Sequence, residues 1–87
     1  MDGKDNSIEI TLRSFALPPD SEDDFPIGKP LPLRVSPGTP VEKLLEKIFA
    51  GKVDQIGMVV INGKVAEGKT PLAGGDRVDV YEHLGGG

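Results

Sequence analysis

The chain has 87 residues, no cysteine, and 10 basic against 14 acidic side chains, giving a net charge of −4. That length holds one domain with one core, and burying only about 60% of the unfolded surface leaves a narrow stability margin. The missing thiols exclude disulfides, thiolate zinc sites and iron–sulfur ligation. The lack of a basic stripe argues against a nucleic-acid surface, and the acidic excess serves solubility or a partner with a positive surface.

From the N-terminus, Met1-Asp2-Gly3-Lys4-Asp5-Asn6 offers no apolar stretch for a signal peptide, and no later run reaches transmembrane length. A soluble, cytoplasmic protein is expected. Ile8 to Arg13 alternates apolar and polar residues, which predicts a half-buried strand with Ile8, Ile10 and Leu12 inward. The pattern breaks after Phe15. Residues 17–32 are rich in proline and acidic side chains, a long solvated loop. Leu31, Leu33 and Val35 then share one face of a second strand, which Pro30 and Pro32 assign to a sheet edge because proline has no N–H to donate.

Thr39, Pro40 and Glu42 have the spacing of an N-cap, a first helical residue and a capping-box carboxylate. Val41, Leu44, Leu45, Ile48 and Phe49 recur as the apolar face of a helix reaching Ala50, with Gly51 placed to end it. Met58-Val59-Val60-Ile61 reads as a strand. Asn62-Gly63 supplies the two positive φ angles of a type I′ turn, so a tight hairpin into Lys64-Val65 follows. Gly74-Gly75-Asp76 is another turn. Arg77 to Tyr81 forms the last strand, with Val78 and Val80 inward. One amphipathic helix covers one face of a sheet, so the expected class is α+β, a sheet of four to five strands with the helix packed on one side.

Three motifs fail on context. Gly63 to Thr70 matches the phosphate-loop pattern, but Pro71-Leu72-Ala73-Gly74 follows where a helix must open on the Lys-Thr pair. Asp20-Ser21-Glu22-Asp23-Asp24 resembles a calcium loop until Phe25 and Leu31 fall where glycine and glutamate are required. His83, the lone histidine, cannot assemble a catalytic triad or a metal site. No metal, no cofactor and no side-chain catalysis are expected. The terminal Leu84-Gly85-Gly86-Gly87 remains. As a bare tail it is a frayed end. As a working group it is narrow enough to thread a tight channel, and it ends on the least hindered acyl group a protein can offer.

Pro71-Leu72, Gly75-Asp76, Val78, Leu84 and the final Gly86-Gly87 resemble the C-terminal pattern of the MoaD/ThiS sulfur-carrier family, closest to the small subunit of molybdopterin synthase. Val60-Ile61-Asn62-Gly63 and the helix beginning at Thr39 are similar to the same family. Two departures stand out: the long acidic loop, and Glu82-His83 where the family often carries a proline pair. The resemblance implies a β-grasp (ubiquitin-like) domain with a mixed sheet over residues 1–84, its first and last strands parallel and adjacent, with 85–87 as a flexible tail.

It further implies a monomeric carrier, not an enzyme, whose Gly87 carboxylate is adenylated by a ubiquitin-activating-type enzyme. The product is a thiocarboxylate that donates sulfur in molybdopterin, tungstopterin or thiamine-type cofactor biosynthesis. On that reading Gly85 and Gly86 thread into the partner while Leu84, Tyr81 and His83 contact it. The sulfur acceptor would be an enzyme such as a molybdopterin synthase large subunit, with no nucleic acid or membrane involved. The same chemistry also suits a protein modifier joined to lysines, and a β-grasp interaction module without terminal chemistry is a further alternative.

Overall fold

The structure, a computed structural model, describes residues 6–16, 26–49 and 56–82. Its elements run β1 (Ile8–Ser14), β2 (Leu31–Val35), α1 (Val41–Ile48), β3 (Ile56–Ile61), β4 (Lys64–Ala66) and β5 (Arg77–Glu82). The five strands form one sheet in the order β2-β1-β5-β3-β4. β1 and β5 pair in parallel, with Leu12 opposite Val78 and Ser14 opposite Val80; the other pairings are antiparallel. First and last strands therefore lie side by side inside the sheet, as expected for a β-grasp.

Alternation within each strand sends one set of side chains under the helix. Ile10, Leu12, Val59, Ile61, Val78 and Val80 meet Val41, Leu44, Leu45 and Phe49 of the helical segment in one buried cluster, closed by Ala16 and Leu72. Each large aliphatic side chain so buried contributes about 1.5–3 kcal/mol. Val78 and Val80 are fully buried because β5 has a strand on either side and the helix across its inner face.

The edge position of β2 follows the proline pattern, since Pro32 sits opposite Thr11 while the Thr11 N–H donates across the other side of β1 to the Asp76 carbonyl (2.9 Å). The Asn62-Gly63 turn also forms as read, with φ of 54° and 85°. β3 begins earlier than its apolar run suggested. Ile56 pairs with Glu82 and Met58 with Tyr81, leaving an extra residue, Gly57, in β3. Such a bulge reverses the facing of what precedes it, and Ile56 turns to pack against the core.

The start of the helix corrects the capping box. Pro40 is the N-cap residue and no side chain caps the helix; the Thr39 hydroxyl instead donates to the Ser36 carbonyl (2.7 Å). The first amides are capped by backbone from a distant loop. Val41 N–H donates to Thr70 O and Glu42 N–H to Gly68 O, both at 2.9 Å. Pro40 and Pro71 form an antiparallel bridge at the same place. The helix ends at Ile48, with Phe49 at its C-cap; Ala50 and Gly51 lie outside the described residues.

Candidate functional site

The outer face of the sheet is built by the residues that alternate with the core. Partners across neighbouring strands share a face, which aligns Arg13 with Asp79, Asp79 with Val60 and Tyr81 with Met58, and Val60 with Val65. Arg13 grips Asp79 with two hydrogen bonds, Nε to Oδ1 at 3.1 Å and a terminal guanidinium nitrogen to Oδ2 at 3.3 Å. The Asp79 carboxylate, through those bonds and its charge, raises the Arg13 pKa above its ordinary value.

Phe15 extends the same face. Its N–H donates to the Val80 carbonyl (2.8 Å), which holds the residue alongside the end of β5. Its ring stacks on Tyr81 with centroids 5.1 Å apart and planes 9° apart. The Arg13 guanidinium lies 5.3 Å from the Phe15 ring centre, close enough for a cation–π contact. Gly28 closes the remaining side: a Cβ there would sit 3.2 Å from Phe15 Cε1, so the loop backbone rests near the ring. Phe15, Met58 and Val65 remain 39%, 42% and 72% exposed. The result is an apolar and aromatic platform fixed by an ion pair, beside the point where the chain leaves β5.

Among the sequence-predicted site residues, the structure describes Tyr81 and places it on this platform. Leu84, Gly85, Gly86, Gly87 and His83 lie outside the described residues. Phe15, Arg13 and Met58 were not singled out in the sequence. Their signal was parity: Arg13 and Phe15 alternate with the buried set of β1 as Asp79 and Tyr81 do in β5, but only the parallel register brings the two sets together. The Gly63–Thr70 segment turns its Gly68 and Thr70 carbonyls towards the helix start. After Thr70 the chain runs into the Pro40–Pro71 bridge and a turn, not a helix, so the segment lacks the helix N-terminus a phosphate loop requires.

Compared with known proteins, the sequence matches no family model and no curated protein. Solved structures do match. A solution structure of the Haloferax volcanii HVO 2177 protein aligns with a TM-score of 0.68 at 23% identity, over 100% of this chain and 93% of that one. The ubiquitin of Caldiarchaeum subterraneum aligns at 0.60 and 20%, over 93% and 99%. A de novo design based on ubiquitin aligns at 0.59 and 22%, over 94% and 95%. The fold is a ubiquitin-like β-grasp. At these identities the likeness concerns the fold, and function must be argued from the site. Among the described residues no helix is long and apolar enough to cross a membrane, and no group of three His, Cys, Asp or Glu is arranged to hold a metal ion.

Proposed function

We propose that the protein is a sulfur carrier whose reactive group is the Gly87 carboxylate, and that it serves as substrate for an adenylating enzyme. The observation that carries this reading is the setting of β5. The strand is held on one side by β1 and on the other by β3, ends at Glu82 beside the Phe15–Tyr81 stack, and leads in sequence to Gly85-Gly86-Gly87. A rigid platform at the root of a narrow segment lets a partner grip the domain while the terminus enters its active site.

In the proposed cycle a carboxylate oxygen attacks the α-phosphorus of ATP and pyrophosphate leaves. A persulfide sulfur from the donor then attacks the acyl carbon and AMP leaves. A second thiol cleaves the acyl disulfide, so the carbon–sulfur bond stays and the sulfur–sulfur bond breaks. The thiocarboxylate that results is a nucleophilic sulfur source for an acceptor enzyme such as a molybdopterin synthase large subunit. The chain itself contributes the acyl group, its lack of bulk and the docking platform; the partners supply the catalysis.

The similarity to an archaeal ubiquitin favours a second reading, in which the same activated terminus forms an isopeptide bond with a lysine of a target. Intact-mass measurement after incubation with ATP, the adenylating enzyme and a persulfide donor separates the two. Exchange of one oxygen for sulfur on the free chain supports the carrier, and a ladder of lysine conjugates supports the modifier. If a variant extended by one residue beyond Gly87 is still adenylated, terminal chemistry is overturned for both.

A further inference from the structure

An asparagine followed by glycine is the dipeptide most prone to lose side-chain ammonia, because glycine leaves its own amide nitrogen uncrowded. Asn62-Gly63 is such a pair, whereas the other asparagine, Asn6, precedes Ser7. Asn62 and Gly63 are both exposed, so solvent reaches the turn.

The fold engages both ends of the Asn62 side-chain amide. Its Nδ2 donates to Asp76 Oδ1 (2.8 Å) and its Oδ1 accepts the Arg77 N–H (3.0 Å). The Asn62 N–H donates in turn to the Arg77 carbonyl (2.9 Å). One turn residue is thus clamped to the start of β5. Deamidation begins with ring closure. The Gly63 nitrogen bonds to Asn62 Cγ, the Cγ–Nδ2 bond breaks, and the proton lost from Gly63 leaves, in net, with ammonia. Water then opens the succinimide at either carbonyl to give aspartate or isoaspartate. Ring closure makes Cγ tetrahedral and expels Nδ2, so the contact with Asp76 must break for it to proceed.

We propose that Asn62 is a deamidation site held in check by Asp76, and that its conversion unlocks the β3–β4 turn from the entry of β5. In the aspartate product a carboxylate replaces the Nδ2 donor opposite Asp76 Oδ1, so a hydrogen bond gives way to repulsion between like charges. In the isoaspartate product the main chain gains one atom within a two-residue loop, whose length sets the pairing of β3 with β4. Either product adds one negative charge to a chain that already carries −4. The site lies at the opposite end of β5 from the Phe15–Tyr81 stack, so it stands independently of the terminal chemistry proposed above.

The test is peptide mapping by mass spectrometry of the full chain aged in neutral buffer, with Asn6 as internal reference. Conversion at Asn62 should be fastest in denaturant, slower in folded Asp76→Ala, and slower again in the parent by roughly fivefold or more. Ile10→Val, which loosens the buried core away from the turn, should leave the rate near the parent's. The proposal is overturned by an Asn62 that is inert in denaturant, by Asp76→Ala converting no faster than the parent, or by equal acceleration in Ile10→Val. A second arm reads the product and does not depend on Asp76→Ala folding. Asn62→Asp should raise the unfolding constant by roughly fivefold or more. Asn62→Asp combined with Asp76→Asn should restore it, because donor and carboxylate then trade sides. Parent stability in the single variant, or no recovery in the exchanged pair, equally overturns the proposal.

Discussion

Asn62 and Asp76 join the turn between β3 and β4 to the turn that leads into β5. The Asn62 Nδ2 donates to Asp76 Oδ1 at 2.8 Å, and Asn62 Oδ1 accepts from the Arg77 N–H at 3.0 Å. The other Asp76 oxygen accepts from the Ala73 N–H at 2.8 Å. The hairpin turn between β3 and β4 is thereby tied to the entry of β5, the strand that leads to the C-terminus.

Asp76→Ala removes two of these bonds and leaves the Ala73 amide without its partner. A loss of about 1–3 kcal/mol in unfolding free energy is expected. Asn62→Ala should cost a similar amount, and the double variant less than the sum, because both residues belong to one network. Urea unfolding of the three variants measures this; strict additivity would show that the bonds act independently.

Gly63→Ala isolates backbone conformation. Its φ is 85°, and an added Cβ meets nothing within 4 Å. The expected loss of about 1–2 kcal/mol thus has no steric component. A midpoint unchanged from the parent would mean that the turn relaxes to another type.

Phe49 and Phe15 should respond in opposite ways to truncation. Phe49 is fully buried and Phe15 is 39% exposed. Phe49→Ala is expected to cost about 3–5 kcal/mol, a large share of the stability of a domain this small, so the variant should be substantially unfolded by circular dichroism at room temperature. Phe15→Ala should leave a folded domain. Equal losses at both positions would contradict the assignment of Phe15 to the outer platform.

The platform itself predicts a split between binding and turnover. In the folded Phe15→Ala and Tyr81→Ala variants, KM for the carrier in the adenylation assay should rise at least several-fold while kcat changes little, as expected when a contact is equally strong in the ground and transition states. In unfolding free energy, the double variant should show coupling of about 0.5–1.5 kcal/mol, the usual worth of a stacked aromatic pair. A fall in kcat with KM unchanged would place these rings in the chemistry and not in docking.

Much of this architecture was legible locally. The alternation of Ile8, Ile10 and Leu12 and of Val78 and Val80, the helical spacing from Val41 to Phe49, and the Asn62-Gly63 turn all specify conformation through neighbours a few residues apart. Prolines without donors sufficed to put β2 at an edge. The capping box failed because Thr39 and Glu42 fit a local rule, whereas the Gly68 and Thr70 carbonyls arrive from across the fold and occupy the same amides. The bulge at Gly57 was likewise hidden, since its purpose is to turn Ile56 towards a core assembled by other elements.

By itself, then, the sequence determined the elements, their inward faces and a glycine-rich terminus, because side-chain periodicity and backbone preference act over a turn or a strand pair. The tertiary structure decided which outward residues meet. Arg13 and Asp79 are 66 positions apart, and no local pattern relates them. Their ion pair, and the neighbouring Phe15–Tyr81 stack, exist because the parallel register of β1 and β5 sets the two strands residue against residue.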